Sequence, residues 1–383
     1  MARARTLYFV LHSRYPAEKA ASLFAAKSCE AFAEAGERVV LLVPRRFGRA
    51  EGDPYAYYGV KKNFTTVYLP VLDLFPVPVL KALAFYVSFC TFSLSVLVYL
   101  LVRTKRTDLI YTNESLTLML ASLVCRNTLY EMHDFPERKR WFYRMLLART
   151  RWLLITNSWK VQRVRELFPG IAAHLILEQN AVDFAEFLLI NKREARTKLG
   201  LPAEGNIVVY TGHLYAWKGV DTLAQVAGRL SAGTLVYFVG GTDADLKRFG
   251  DAYKNVSTIR LVGHRPHAEV PYWQAAADVL VLPNTGKETI AKYYTSPMKL
   301  FEYMASGRPI VASDLPSIRE LLNEHNALLV PPDDADALAE GIRRVLMNVR
   351  EGDTLAARAR ADVETHTWEV RAKRILAHIA FHR

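Results

Sequence analysis

Cysteine is scarce in this 383-residue chain: only Cys29, Cys90 and Cys125 occur, with no Cys-x-x-Cys spacing and no histidine cluster of zinc-ligand spacing. That argues against a disulfide framework and a structural metal, and the three read as free thiols in a reducing compartment. The N-terminus lacks a long apolar run. Only Leu7 to Leu11 follows the first arginines, which fits a first strand better than a signal peptide. RNP, KH, zinc-finger and helix-turn-helix signatures are missing as well, so nucleic acid is not an expected partner. An apolar fraction of 51% against 23% charged residues is a globular composition, and the length suggests two domains.

What is present is unevenly spread. Residues 1–180 hold 25 Lys and Arg against 14 Asp and Glu, a net +11, whereas residues 181–383 hold 25 against 24, a net +1. A basic first half implies an anionic partner. Within it, Ala82 to Val102 runs 21 residues without a charge, between Lys81 and the cations Arg103, Lys105 and Arg106. Its length would allow a bilayer span. The following DLIYT, Asp108 to Thr112, reads instead as a buried parallel strand that this helix would cover. Three readings stay open: a helix partly packed on the sheet and partly in a membrane interface, a buried core helix, and a true span. Phe75, Val77 and Val79 before it, and RKRWFYRMLLARTRW at 138–152 with Trp141, Phe142, Tyr143 and Trp152, favour a lipid surface; a solvated basic helix is the plainer reading of the second segment.

Short apolar runs alternate with helical patterns along the rest of the chain. Strands are expected at Thr6 to Leu11, Val39 to Val43, Leu109 to Thr112, Thr128 to Glu131 and Leu153 to Thr156, with an Ala-rich helix from Glu18 to Ala35. A second array would place strands at Ile207 to Tyr210, Leu235 to Val239, Ile259 to Leu261, Val279 to Leu282, Pro309 to Ala312 and Ala327 to Val330. Two α/β domains with parallel, doubly wound sheets follow, and ligands of such sheets sit beyond the carboxyl ends of strands.

Those ends carry the chemistry. After Tyr210 come Gly212, His213 and Lys218-Gly219; Gly240 and Gly241 end the next strand; Gly263-His264-Arg265-Pro266 follows another. Glycine admits a ligand close to the backbone, helix N-termini favour anions, and a lysine supplies a point charge for phosphate. The segment TSPMKLFEYMASGRPIVASD, 295–314, sets Glu302 near an expected helix start beside Ser296, Pro297, Met298, Lys299 and Leu300.

In order and spacing, YTGHLYAWKGVDTL, YFVGGTDADL, LVGHRPHAEVPYWQAAADVLVLP and TSPMKLFEYMASGRPIVASDLPSIREL resemble the C-terminal half of glycosyltransferase family 4 enzymes of the GT-B architecture. DLIYTNE, LYEMHDFP, LLITNSW and QNAVDFAEF agree more loosely with the N-terminal half. The resemblance implies two Rossmann-like domains facing across a cleft and a retaining transferase of sugar from a nucleotide-sugar donor. The acceptor-binding domain is expected over residues 1–185, completed by a C-terminal helix near 365–383, and the donor-binding domain over 186–364.

Residue by residue, the resemblance makes Glu302 the second glutamate of a Glu-x7-Glu motif and a ribose clamp, a role a carboxylate suits by accepting two hydroxyl hydrogen bonds. Lys218 matches a diphosphate lysine that offsets charge on the departing phosphate, and His133 in EMHDFP a histidine facing the donor sugar. Gly212, His213, Gly240, Gly241, Arg265 and the run Ser296–Leu300 complete the expected donor site. Two positions depart from the pattern: Tyr294 stands where the first glutamate belongs, and His213 where the family has its diphosphate arginine. The first strand's loop, LHSRYPAEKAAS, also lacks a double glycine, and Glu288 is a candidate substitute carboxylate. A nucleotide-sugar epimerase of the same architecture and a catalytically inactive nucleotide-sugar-binding protein are the alternatives. A lysine and helix N-termini can hold a diphosphate, so no metal or other cofactor is expected. The expected partners are a glycan or lipid-linked acceptor and an anionic membrane surface, with the protein cytoplasmic and peripheral on the inner face of the cell membrane.

Overall fold

The computed structural model describes residues 5–48, 50, 52–75, 81–133, 135, 140–187, 190–231 and 233–381. It contains two compact units, Met1–Glu178 with Trp368–Arg383, and Gln179–Thr367. Each is built on one sheet.

The first sheet comprises β1 (Thr6–Val10), β2 (Arg38–Pro44), β3 (Thr65–Leu69), β4 (Leu109–Thr112), β5 (Thr128–Met132), β6 (Trp152–Ile155) and β7 (Leu175–Leu177), in the order β3-β2-β1-β4-β5-β6-β7. The second comprises β8 (Asn206–Thr211), β9 (Thr234–Val239), β10 (Ile259–Gly263), β11 (Val279–Leu282), β12 (Ile310–Ser313) and β13 (Leu328–Val330), in the order β10-β9-β8-β11-β12-β13. Strand pairs in both are parallel. The expected α/β class is borne out. Strand order reverses between β1 and β4 and between β8 and β11, and in open parallel sheets the ligand crevice opens at that reversal.

The central strands are continuous apolar runs because helices cover both faces. In the second unit Val209, Leu280 and Ile310 pack into one cluster, while Val208, Val281 and Val311 pack into another, so alternate residues serve opposite faces. Two strands are not foreseen from the sequence. β3 is a sheet edge that starts exposed, and β7 is an edge strand of three residues. Neither presents the buried run that identifies a central strand.

The helix Trp368–Phe381 returns to the first unit and packs on helix Ala20–Glu34, with the rings of Trp368 and Phe24 at 5.4 Å. Arg371 from this helix reaches Glu131 at the end of β5, Nη2 to Oε1 2.8 Å, and both side chains are buried.

Helix Lys81–Arg103 packs Phe92, Val96 and Leu100 against the first sheet. Its other side exposes Phe85, Tyr86, Leu94, Val98, Leu101 and Val102. It is long and apolar enough to cross a membrane, yet 28% of its apolar window is buried, so it is neither a wholly buried core helix nor free of the sheet. The basic segment that follows β5 is only partly as expected. A helix covers Arg140–Ala148 and exposes Trp141, but Trp152 is a buried strand residue, with Arg151 stacked on its ring at 4.5 Å. Val77, Val79, Arg138 and Lys139 lie outside the described residues.

Candidate active site

The second unit gathers most of the expected donor residues at the carboxyl ends of its strands. β8 runs into Gly212, whose amide donates to the Val239 carbonyl of β9 at 2.8 Å, so two strand-end loops lie side by side. Gly240 has φ +117°, and a Cβ there would stand 2.6 Å from the Gly212 carbonyl oxygen. Gly219, φ +69°, is tighter still: a Cβ would meet the Pro283 carbonyl oxygen after β11 at 1.7 Å. Only glycine fits either position. The backbone after β8 is thereby pressed against that after β11, at the reversal of strand order.

Lys218 precedes that contact. Its ammonium makes no hydrogen bond or ion pair among the described residues; it lies 4.9 Å from the centre of the Trp217 ring, and burial lowers its pKa. The rings of His213 and Tyr215 stack at 5.0 Å and 6°, and Tyr215 continues to Trp217 at 6.4 Å. An aromatic shelf therefore leads to the lysine.

Lys299 is buried in the first turn of helix Met298–Ala305. Its Nζ donates to the Thr211 carbonyl at 3.2 Å and lies 3.8 Å from the Tyr210 ring centre. Burial first, and the charge of Lys218 second, hold its pKa well below the ordinary lysine value, while Glu302 opposes the shift. Two lysines repelling each other beside a glycine-rich strand end form a site that an anion would relieve.

Glu302 does not start its helix as expected; it is the fifth residue of Met298–Ala305. The N-terminal dipole therefore does not explain it. Its half-buried carboxylate accepts from Gln274 Nε2 at 3.1 Å, and burial raises its pKa against the pull of His267. The next residue, Tyr303, anchors the helix to β8 by accepting the Thr211 amide at 2.8 Å. Gln274 and Tyr303 carry no signal in the sequence, since their roles depend on contacts across 28 and 92 residues.

The remaining expected donor residues divide. Asn180 donates to the Ser296 carbonyl, tying the start of this unit to the loop before the helix. Pro297 is the N-cap, Met298 opens the first turn, and Leu300 points into the core, which leaves only its backbone for a ligand. Gly241 has φ +91° and packs over Leu214. Arg265 is exposed after β10 and makes no side-chain hydrogen bond or ion pair among the described residues, so no contact ties it to Lys218 and Glu302. Tyr294 is buried, while Glu288 is exposed and contributes only a carbonyl, to Lys292 N at 3.0 Å. The sequence is expected to hold no Asp-x-Asp at a strand end, and the structure corrects this: Asp243 and Asp245 follow β9, and Asp334 and Asp336 follow β13. Asp245 is engaged in a capping box with Thr242. Among the described residues no group of three His, Cys, Asp or Glu is placed to hold a metal.

His133 belongs to the first unit, just past β5. Its Nε2 lies 3.1 Å from Glu131 Oε1, its ring meets Phe24 edge-on at 5.2 Å, and its carbonyl accepts from the buried Lys160 at 2.7 Å. Burial alone would raise the Glu131 pKa, but Arg371 and His133 together with the Tyr111 hydroxyl bring it to about 2. The C-terminal helix thus fixes the carboxylate against which His133 rests.

The fold defines the class. Over nearly its whole length the chain superposes on sucrose-phosphate synthase from Thermosynechococcus elongatus, TM-score 0.78 at 20% identity, covering 98% of this chain and 99% of that one. The Anabaena protein HepE in complex with UDP-glucose gives TM-score 0.75 at 17% identity, covering 98% and 99%. This is the GT-B fold of two Rossmann-like domains. Residues 205–348 match the family described as Glycosyl transferases group 1. Phosphatidyl-myo-inositol mannosyltransferase of Mycobacterium tuberculosis is 33% identical over 187 residues, 46% of this chain and 47% of that protein. The chain thus spans about half the length of that curated relative.

Proposed function

We propose that the chain is a retaining glycosyltransferase that moves a sugar from a nucleotide-sugar donor to a lipid-linked or membrane-proximal glycan acceptor. The observation that carries this reading is Lys218: a half-buried ammonium with no anionic partner among the described residues, beside strand-end glycines and a second lysine. A nucleotide diphosphate supplies the missing charge, and Glu302 offers a diol acceptor for the ribose. In the transfer, the bond from the anomeric carbon to the diphosphate breaks with its electron pair leaving on phosphate. The acceptor oxygen bonds the same carbon, and its proton passes to the departing phosphate. Lys218 stabilises the charge that grows on the leaving group. His133 is assigned to the donor sugar by resemblance.

The family match over residues 205–348 and the relative named for mannosyl transfer to phosphatidyl-myo-inositol support transfer and an amphiphilic acceptor. The UDP-glucose bound by HepE supports a uridine diphosphate sugar as the first donor to try. The basic first half and the exposed apolar face of helix Lys81–Arg103 support a cytoplasmic protein held peripherally on the inner face of the membrane. No metal or other cofactor is assigned.

Calorimetric titration with uridine, guanosine and adenosine diphosphates and their sugars, followed by a sugar-release and transfer assay, tests the reading. One nucleotide sugar should bind and turn over with the anomeric configuration kept. Binding without turnover would leave an inactive binding protein, and epimerised product a nucleotide-sugar epimerase. Vesicle cosedimentation tests the location: anionic vesicles should retain the protein in a salt-dependent way and neutral ones far less. Equal partition onto both, or onto neither, contradicts it.

A further inference from the structure

The reversal of strand order in the first sheet carries a charge that the proposed donor chemistry does not use. His12 lies just beyond β1, Arg46 just beyond β2 and Glu114 just beyond β4, three adjacent strand ends. Ser88 of helix Lys81–Arg103 closes the group. His12 Nε2 stands 3.1 Å from Ser88 Oγ, and Arg46 Nη2 donates to both, at 2.7 Å to the hydroxyl. The imidazole is wedged against Phe85, Phe89 and Phe92 at 5.0–5.8 Å between ring centres. Burial, then the neighbouring guanidinium, lower the His12 pKa to about 3, so at neutral pH it is an uncharged acceptor.

Arg46 is therefore a cation whose side-chain hydrogen bonds go to two neutral groups. It makes no ion pair among the described residues, and its Nε is buried without a partner. The nearby carboxylates are engaged with backbone: Asp73 accepts the amides of Phe47 and Phe75 at 3.0 and 3.3 Å, and Glu114 accepts that of His12 at 3.0 Å. Asp73 and Glu114 attract Arg46 through space but neither pairs with it, and burial still lowers its pKa, so this half-buried guanidinium lacks a directly bound anion. Its planar fork matches phosphate oxygens.

The surroundings specify what the anion is attached to. Arg46 lies 5.0 Å from the centre of the Phe75 ring; Phe47 next to it in the chain, Phe85 against the His12 ring, Tyr86 against Phe85, and Leu72 and Leu83 of the same segments are exposed large apolar side chains. A free phosphate has no use for that surface.

We propose that Arg46, with His12 and Ser88, anchors a phosphate carried on an apolar chain, and that the chain lies along the exposed face of helix Lys81–Arg103. This rests on the acceptor reading above and gives that acceptor its chemistry: a lipid phosphate or diphosphate.

Titration of the full chain with dodecyl phosphate below its micelle concentration, with inorganic phosphate, and with dodecyl maltoside separates the contributions. Dodecyl phosphate should bind at least about tenfold more tightly than either of the others, and Arg46→Gln should remove at least about tenfold of that affinity. Ser88→Ala should weaken it less, about threefold. Both variants should keep the wild-type affinity for the nucleotide diphosphate, which reports a folded second unit. Equal dodecyl phosphate affinity in wild type and Arg46→Gln overturns the site. Equal affinity for inorganic phosphate and dodecyl phosphate overturns the apolar part. Should Arg46→Gln fail to fold, Ser88→Ala and the three-ligand comparison on the wild type decide in the same way. If dodecyl phosphate binds through Arg46 but no nucleotide sugar is turned over, the anchor stands and the transferase reading falls.

Discussion

In the first unit the buried charges Glu131 and Arg371 meet each other, with Tyr111 closing the group; in the second, Lys218 makes no hydrogen bond or ion pair among the described residues and lies beside the ring of Trp217 and the like charge of Lys299. Both units have the same kind of parallel sheet with one reversal of strand order. The paired charges join the C-terminal helix to the sheet, so their effect belongs to stability. The unpaired lysine lowers stability unless something binds, so its effect belongs to a ligand. Arg46, in the first unit, is of the second kind. On the function proposed above, whether a buried charge has its partner within the chain separates the groups that hold the fold from those that await substrate.

Removing a partner from the paired set should have the largest effect. Arg371→Ala leaves Glu131 buried without its counter-charge and should destabilise the first unit by about 3–5 kcal/mol, measured by urea unfolding. Its pH dependence should also change sign. In the wild type the Glu131 pKa is lowered to about 2, so its contribution is present above the ordinary carboxylate range and lost as pH falls towards 2. Without Arg371, burial raises that pKa, and stability should instead fall as pH rises through it. A variant as stable as the wild type would break the comparison.

Lys218→Ala should do the opposite: leave stability unchanged or slightly higher, and cut turnover by about 10²–10³-fold, the usual loss for one transition-state charge partner. A matching loss in donor affinity with turnover at saturation intact would assign the lysine to ground-state binding. Glu302→Ala should weaken donor binding by about 1.5–3 kcal/mol. Because burial raises the Glu302 pKa, wild-type donor affinity should decline on acidification above the ordinary carboxylate range, and Glu302→Gln should flatten that profile. An unchanged affinity in Glu302→Ala takes the residue out of the site. Chelation should have the smallest effect: activity is expected to survive EDTA, and complete loss restored by magnesium or manganese would contradict the metal-free reading.

The chain's alternating apolar runs determined the α/β class and nearly all central strands by themselves, because a strand covered on both faces must be apolar at consecutive positions. Val279–Leu282 has the boundaries expected from its sequence. Glycine at 212, 219, 240 and 241 marked the strand-end loops in advance, since the left-handed backbone they adopt excludes other residues. The edge strands β3 and β7 lacked that signal, their pairing being fixed by a neighbour rather than by their own burial. Tertiary structure alone decided which polar residues meet. The pairing of Glu131 with Arg371 spans 240 residues, Gln274 reaches Glu302 from another helix, and Trp152 turned inward although its neighbours suggested a surface. Local sequence determines backbone preference and which face is apolar; it does not encode the distance between side chains brought together only when strands take their order in a sheet, and charge pairing depends on that distance.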